Sequence, residues 1–170
     1  MKIAKYVAIF IVFLFAAFGG LIFLSPSCVE FTVNRDVKGS VEKVYGVATN
    51  YSTLPEWLPG LENVTQTKDD ALKIGSKYDL TYGVGDEPMV MTHSITQLIK
   101  DSLYAYTGVV DDFMRTTSHF TFQQIDSHTT RIRNKVSVEA LSYKMRLFMN
   151  NEESFKNNAA KNLEELEKQV

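Results

Sequence analysis

The sequence has a single cysteine, Cys28, among its 170 residues. One thiol cannot form a disulfide within the chain, and it cannot supply the several thiolates of a structural zinc site. The three histidines and the acidic pairs do not follow the spacing of a metal site. The sequence also lacks a glycine-rich phosphate loop and a nucleophile motif. We therefore predict no metal, no cofactor, and no hydrolase, kinase or metalloenzyme chemistry.

Positive charge is also scarce. The formal net charge is −2 and the sequence pI is near 5.9. No run of lysine and arginine is interleaved with aromatic residues, whereas a nucleic-acid-binding domain normally carries a basic stripe or patch. The composition therefore predicts no nucleic-acid partner.

A long apolar run is present, from Tyr6 to Leu24, and it contains no charged residue. At about 1.5 Å per residue a helix of this length spans roughly 29 Å, close to the thickness of a bilayer's hydrocarbon core. The run predicts one transmembrane helix within residues 1–28. Lys2 and Lys5 precede it, so the positive-inside rule places the N-terminus in the cytoplasm and residues 29–170 outside it, in a periplasmic or extracellular position.

Two alternatives for this segment remain open. The small residues Ser25 and Ser27 follow the apolar run and suit cleavage of a signal peptide, although Pro26 fits poorly beside a cleaved bond. Cys28 is also a candidate for lipidation, but Ser25 stands where such signals usually have leucine.

The segment from Val29 to Pro59 predicts a strand, a helix and an aromatic turn in direct succession. Apolar and polar residues alternate from Val29 to Asn34, which is the period of a strand with one buried face. Ser40 is placed as an N-cap, and an apolar stripe at helical spacing follows it. Pro55 and Pro59 then limit the backbone around Trp57.

This order of elements resembles the START-related superfamily called SRPBCC, which includes polyketide cyclases/dehydratases, pollen-allergen-type proteins and lipid-transport domains. The residues that carry the resemblance are Val44, Tyr45, Asn50, Tyr51, Pro55, Glu56, Trp57 and Pro59. Asn50 stands where the family usually has aspartate. The resemblance implies an α+β helix-grip fold over residues 29–170, in which a curved antiparallel sheet wraps around a long C-terminal helix and encloses a cavity.

Short alternating runs between residues 77 and 140 predict the strands of this sheet. We expect the inward side chains to be Tyr78, Leu80, Tyr82, Met89, Met91, His93, Ile95, Ile99, Phe120, Phe122, Ile132, Asn134, Val136 and Val138. The run from Ser102 to Val110 is apolar on both faces, so its orientation stays open. From about Leu141 the period becomes helical, and it places Glu152 between Phe148 and Phe155 on one stripe.

The predicted inner face supplies the candidate site residues. The candidate cavity residues are His93, Asn134, Glu152, Tyr78, Tyr82, Met91, Phe120, Phe148 and Trp57. Each has a plain structural alternative: a lone inward histidine is usually a satisfied core group, and glutamate at the edge of a stripe usually reaches solvent. Trp57 either caps the core or gates the cavity mouth.

Three functions are consistent with these observations. The first is membrane-anchored, non-enzymatic binding of a hydrophobic small molecule or lipid. The second is a cyclase or dehydratase-like enzyme in which His93 acts as acid or base while Tyr82 or Asn134 orients a carbonyl group. The third is an envelope protein-interaction module with no ligand. No catalytic residue is assigned, and the oligomeric state is not determined by the sequence.

Overall fold

A computed structural model of the protein describes residues 10, 11, 20, 25–67, 71–84 and 87–170. The predicted membrane-spanning run from Tyr6 to Leu24 lies outside these residues, except for Phe10, Ile11 and Gly20. Within the described part of the chain, no helix has the length and apolar character needed to cross a bilayer.

The first strand, β1 (Cys28–Lys38), and the first helix, α1 (Val41–Thr49), form where the sequence predicts them. Ser40 caps the helix, because its side chain accepts a hydrogen bond from the backbone N–H of Lys43 at 3.4 Å. A short 3-10 turn (Tyr51–Thr53) and helix α2 (Leu54–Trp57) follow. Leu54 and Trp57 are buried, so this segment packs on the core.

Six further strands complete one antiparallel sheet of seven strands in the order β1-β7-β6-β5-β4-β3-β2. The strands are β2 (Leu61–Gln66), β3 (Lys77–Val84), β4 (Glu87–Ile99), β5 (Leu103–Val110), β6 (Met114–Asp126) and β7 (Thr129–Ala140). Every pair of neighbouring strands is consecutive along the chain except β1 and β7. Strands β2 to β7 therefore form a meander, and β1 is added beside β7.

The inner face of the sheet follows the predicted alternation with one exception. His93 and Ile95 on β4 are buried, and so are Ile132 and Asn134 on β7. The exception is Ile99, which is 57% exposed. A register shift between Ile95 and Gln97 reverses the alternation in the last part of β4, so that Leu98 packs against the core instead.

The prediction of one continuous C-terminal helix is wrong, because the chain forms two helices, α3 (Tyr143–Arg146) and α4 (Glu152–Glu167). Between them, backbone N–H groups bond three residues back, for example Met149 to Arg146. Asn151 then caps α4 by accepting from the N–H of Ser154 at 3.2 Å. Because the helical phase is lost, Met149 is buried and Phe148 is 61% exposed.

Helix α4 packs against β1 and also contacts α1 and α2, so helices cover one face of the sheet. The core lies between these two layers. Every buried hydrophobic residue in the described part of the chain lies between Val29 and Leu166. Ser25, which precedes β1, also contacts this domain, because Asn150 Nδ2 donates a hydrogen bond to its hydroxyl at 2.7 Å.

Candidate ligand cavity

A cavity of about 330 Å³ lies between the inner face of the sheet and helices α2 and α4. This volume falls at the lower end of the roughly 300–1,000 Å³ typical of small-molecule sites. Apolar and aromatic side chains form most of its wall. Examples from the sheet and the helices are Phe31, Leu54, Met89, Val136, Leu163 and Leu166.

Six of the nine candidate residues line this cavity. They are Trp57, Tyr82, Met91, His93, Phe120 and Asn134. Strand alternation brings the last five together, because they project from the same face of β3, β4, β6 and β7. Phe120 and Asn134 are direct neighbours across the β6–β7 pair. Trp57 reaches the cavity from the helical side.

The other three candidates do not line the cavity. Tyr78 is buried, but it stacks on Tyr51 at a centroid distance of 3.7 Å and borders a separate surface groove. Phe148 is exposed because the helix is interrupted before α4. Glu152 begins α4 with its side chain exposed, where a carboxylate interacts favourably with the positive end of the helix dipole.

His93 belongs to a buried network of aromatic and hydroxyl groups. Its Nδ1 is 3.2 Å from the hydroxyl of Tyr51, and that hydroxyl is 2.6 Å from the hydroxyl of Tyr104. Its Nε2 is 3.3 Å from Met91 Sδ, and its ring stacks on Tyr106 at a centroid distance of 4.1 Å. Tyr51, on the turn after α1, is therefore held against three strands.

The sulfur of Met91 fixes the direction of the hydrogen bonds in this network. A thioether accepts but cannot donate, so the proton of neutral His93 belongs on Nε2. Nδ1 then accepts from Tyr51, whose only hydroxyl proton is used in that bond. Tyr104 must therefore donate to Tyr51. Tyr104 lines the cavity, and its oxygen accepts no hydrogen bond from the other members of this network.

Burial lowers the pKa of His93 from 6.5 to about 3. Desolvation causes this shift, since it penalises the imidazolium, and no carboxylate in the network offsets it. His93 is thus neutral at physiological pH, and its low pKa makes it a weak general base. Its contacts with Tyr51, Met91 and Tyr106 hold its ring within the network.

Two cavity-lining side chains carry a buried polar atom without a hydrogen-bond partner in the described part of the chain. These atoms are the Trp57 Nε1–H donor and the Asn134 Oδ1 acceptor. The third such atom, Asp101 Oδ1, belongs to the turn between β4 and β5. Leaving a buried donor or acceptor unpaired costs about 1 to 3 kcal/mol.

The cavity carries no formal charge. Among the described residues that line it, none is aspartate, glutamate, lysine or arginine. Burial raises the pKa of Tyr82, Tyr104 and Tyr106 above the usual value for a phenol, so these hydroxyls stay protonated. With His93 also neutral, the polar groups of the cavity are all uncharged hydrogen-bonding groups.

Some cavity residues are not among the sequence candidates. Asn158 and Asn162 line the cavity from α4, and Ser118 and Thr116 line it from β6. The two asparagines are four residues apart and share a helical face with Phe155, so their spacing was a usable signal. Tyr51 had no such signal, because its contact with His93 depends on how the turn docks on the sheet.

An apolar groove adjoins the cavity. Met114 and Phe155 line both, and Phe148 lies in the groove. Three apolar side chains between residues 143 and 148, the segment that contains Phe148, are well exposed, namely Tyr143, Leu147 and Phe148 at 62%, 38% and 61%. The bond between Ser25 and Asn150 brings the start of the domain next to this surface. We call these three residues the apolar lip.

Comparison with known proteins identifies the family. The profile described as "Polyketide cyclase / dehydrase and lipid transport" matches residues 29–170. The chain belongs to this family. The sequence resemblance to SRPBCC proteins is confirmed at the level of the family and its fold. No curated protein matches the chain.

Solved structures share the fold at low sequence identity. A Streptomyces aromatase/cyclase has a TM-score of 0.69 and 13% identity, covering 84% of this chain and 93% of that one. A Thermus thermophilus protein has a TM-score of 0.67 and 14% identity over 83% and 96%. The major latex-like protein 151 of Panax ginseng has a TM-score of 0.65 and 10% identity over 84% and 97%. These likenesses show the fold alone.

Proposed function

We propose that this family member binds a hydrophobic small molecule non-enzymatically in the cavity between the sheet and α4. The observation that carries the proposal is a cavity of about 330 Å³ whose wall is mostly apolar and aromatic. A plain core would fill such a space with its own side chains. A hydrophobic ligand of suitable size would fill it instead.

The low pKa of His93 favours binding over catalysis. A cyclase mechanism needs a group that exchanges a proton with the substrate near neutral pH, and the pKa of His93, about 3, lies far from that range. The charge-free lining supplies no carboxylate or lysine to replace it. The aromatase/cyclase likeness supports the cavity architecture and is consistent with either function.

We also propose that residues 6–24 anchor the protein in a membrane, with the domain outside the cytoplasm. The run from Tyr6 to Leu24 and the preceding Lys2 and Lys5 support this arrangement. The position of Ser25 beside Asn150 would then bring the apolar lip close to the bilayer surface. Ligand supplied by the bilayer would enter at the groove that adjoins the cavity.

Native mass spectrometry of residues 25–170, purified without detergent, tests the binding function. We expect a bound apolar molecule that dissociates on collisional activation. Ala159 lines the cavity and Ala160 is exposed beside it, so Ala159→Phe should exclude the ligand whereas Ala160→Phe should retain it. An empty fragment that also fails to take up lipids and aromatic metabolites would disprove the binding function.

Fractionation of cells that express the full chain tests the anchor. The full chain should remain in the membrane fraction after alkaline extraction, while residues 25–170 should be released. Protease added to intact spheroplasts should digest the domain. Recovery of the full chain in the soluble fraction would contradict the anchor, and a protease-resistant domain would contradict the orientation.

A further inference from the structure

The start of the domain is fixed to the domain's own surface. Ser25 is 5% exposed, and its hydroxyl accepts a hydrogen bond from Asn150 Nδ2 at 2.7 Å. The carbonyl of Ser27 accepts from the backbone N–H of Ala140 at 2.8 Å, and β1 begins at the next residue. The apolar run ends at Leu24, directly before Ser25. An anchor formed by that run is therefore joined to the domain without a free linker.

Resting on the proposed anchor, we infer that the domain docks end-on against the bilayer that holds it, with the apolar lip inserted between the lipid head groups. The partner is the phospholipid surface itself, whatever the cavity contains. The turn between β6 and β7 lies at the opposite end of the domain and points away from the membrane. Strand β7 separates the two ends by about 40 Å, at about 3.4 Å per residue.

The lip lies at the same end of the domain as Ser25. Helix α3 begins at Tyr143, three residues after β7 ends at Ala140. The backbone N–H of Leu141 donates to the carbonyl of Phe113 at 3.0 Å, which brings the turn between β5 and β6 to this end as well. The groove next to the lip is lined by Phe113, Met114, Met145, Phe148 and Phe155, among others. A bilayer that is reached by Ser25 is therefore also reached by the lip and its groove.

The side chains of the lip suit the boundary between lipid head groups and acyl chains. Leu147 and Phe148 supply apolar surface, and Tyr143 combines an apolar ring with a polar hydroxyl, as residues at membrane interfaces commonly do. Lys144 is exposed between them, and its long stem allows its ammonium group to stay at the level of the phosphates. Exposed apolar side chains clustered within six residues mark an interaction surface.

Apolar insertion drives this contact more than charge does. The turn between β5 and β6 and residues 143–153 together carry two basic and four acidic side chains, namely Lys144, Arg146, Asp111, Asp112, Glu152 and Glu153. An anionic membrane attracts a surface that has an excess of lysine and arginine, which this end lacks. We therefore expect the same contact on zwitterionic and on anionic vesicles, with little dependence on salt.

Fluorescence quenching in the full chain, reconstituted into vesicles of phosphatidylcholine with brominated acyl chains, tests the orientation. Cys28→Ser removes the only thiol, and Lys144→Cys then places a fluorescent label beside the lip and keeps its three side chains. The label should lose about half or more of its emission, because interfacial side chains lie about 5–10 Å into the head-group and acyl boundary. Ser127→Cys is the matched control at an exposed position of the far turn, and its label should keep its emission.

A longer connection separates contact by the lip from contact forced by the anchor. Ten glycine and serine residues inserted between Leu24 and Ser25 add a flexible tether of roughly 17 Å. The label at position 144 should remain quenched in this variant, because the lip itself holds the membrane. Adding Leu147→Ser and Phe148→Ser should abolish the quenching. If the inserted linker alone abolishes it, the lip makes no contact of its own and the inference is wrong.

Flotation of the vesicles distinguishes this inference from the anchor on which it rests. If the chain floats with the vesicles and the label at position 144 keeps its emission, the anchor stands and the docked orientation is wrong. If the chain does not float, the anchor is contradicted together with the docking. Emission that falls with the labelled fraction of the protein, and not with bromination of the lipid, would show that the lip joins two copies of the chain, which also overturns the membrane contact.

Discussion

The two faces of β7 differ in whether their polar side chains are paired. On the outer face, Arg131 forms a 2.6 Å ion pair with Asp36, and Lys135 lies 3.1 Å from Glu30. On the inner face, Asn134 keeps a buried oxygen that has no partner among the described residues. Water satisfies an unpaired group on the outer face, whereas the buried oxygen of Asn134 is out of its reach. An unpaired atom therefore costs free energy on the inner face and not on the outer face.

Adjacent residues of β7 provide the strongest test of this contrast. Ile132 is fully buried and Arg131 is exposed on the opposite face. Ile132→Ala should lower the free energy of unfolding by about 2 to 5 kcal/mol, because it removes buried methyl groups and leaves a void. Arg131→Ala should leave the denaturation midpoint nearly unchanged, since an exposed ion pair is screened by solvent. Chemical denaturation of both variants checks this, and equal losses would contradict it.

Acidification should destabilise the domain through His93. Its folded-state pKa of about 3 is below its unfolded value of 6.5, so the unfolded chain binds the proton more readily. The stability that depends on neutral His93 is complete above about pH 6.5 and is lost as the pH falls toward about 3. At pH 5 the loss should be about 2 kcal/mol.

Denaturant unfolding at pH 7 and pH 5 measures this loss in the wild type and in His93→Gln. The glutamine variant cannot bind the proton, so its unfolding free energy should change less between the two pH values. Carboxylates titrate mainly below pH 5, which keeps their contribution small in this window. The same pH dependence in both proteins would show that His93 is not buried as a neutral group.

The buried oxygen of Asn134, which has no partner among the described residues, should cost stability. In the ligand-free fragment, Asn134→Leu should raise the free energy of unfolding by about 1 kcal/mol, because it removes a buried acceptor that lacks a partner. Asn158→Leu, at an exposed position on α4, should produce no comparable gain. Thermal denaturation after delipidation provides the measurement. A destabilised Asn134→Leu variant would mean that Asn134 already has a partner inside the protein.

The smallest effect on stability is expected at the apolar lip. Phe148→Ser should leave the unfolding free energy within about 0.5 kcal/mol of the wild type, because Phe148 is 61% exposed. Its association with phospholipid vesicles should fall. Ile74→Ser is the matched control, since Ile74 is 62% exposed in the connection between β2 and β3, away from the β1–β7 edge where Ser25 joins. Equal vesicle binding by both variants would remove the lip from the proposed entry route.

Much of the sheet could be predicted from the sequence, because its signal is local. The alternation of β7 is uninterrupted, and it placed Asn134 beside Ile132 on the inner face. The same reasoning failed at Ile99, since a bulge in β4 depends on pairing with β5. It also failed at Phe148 and Glu152, although Ser142 and Asn151 are both residues that favour N-caps and could have indicated two helices.

The candidate site was predictable only in part for the same reason. His93 and Asn134 were assigned inward by the period of their strands. The bond from Tyr51 to His93 joins residues 42 positions apart, and no local pattern encodes it. The pKa of His93 depends on burial by several elements, so it too required the assembled domain.

Local patterns in the sequence were enough to predict the alternation of apolar and polar residues along the strands, the capped first helix and the aromatic turn at Trp57. These features depend on neighbours within a few residues. Which polar groups find partners depends on the packing of distant elements. Tyr51, Tyr104 and His93 bond to one another, whereas Trp57 Nε1 and Asn134 Oδ1 have no partner among the described residues. Hydrogen bonding between residues far apart in the chain depends on how the elements pack, so no local pattern could predict it.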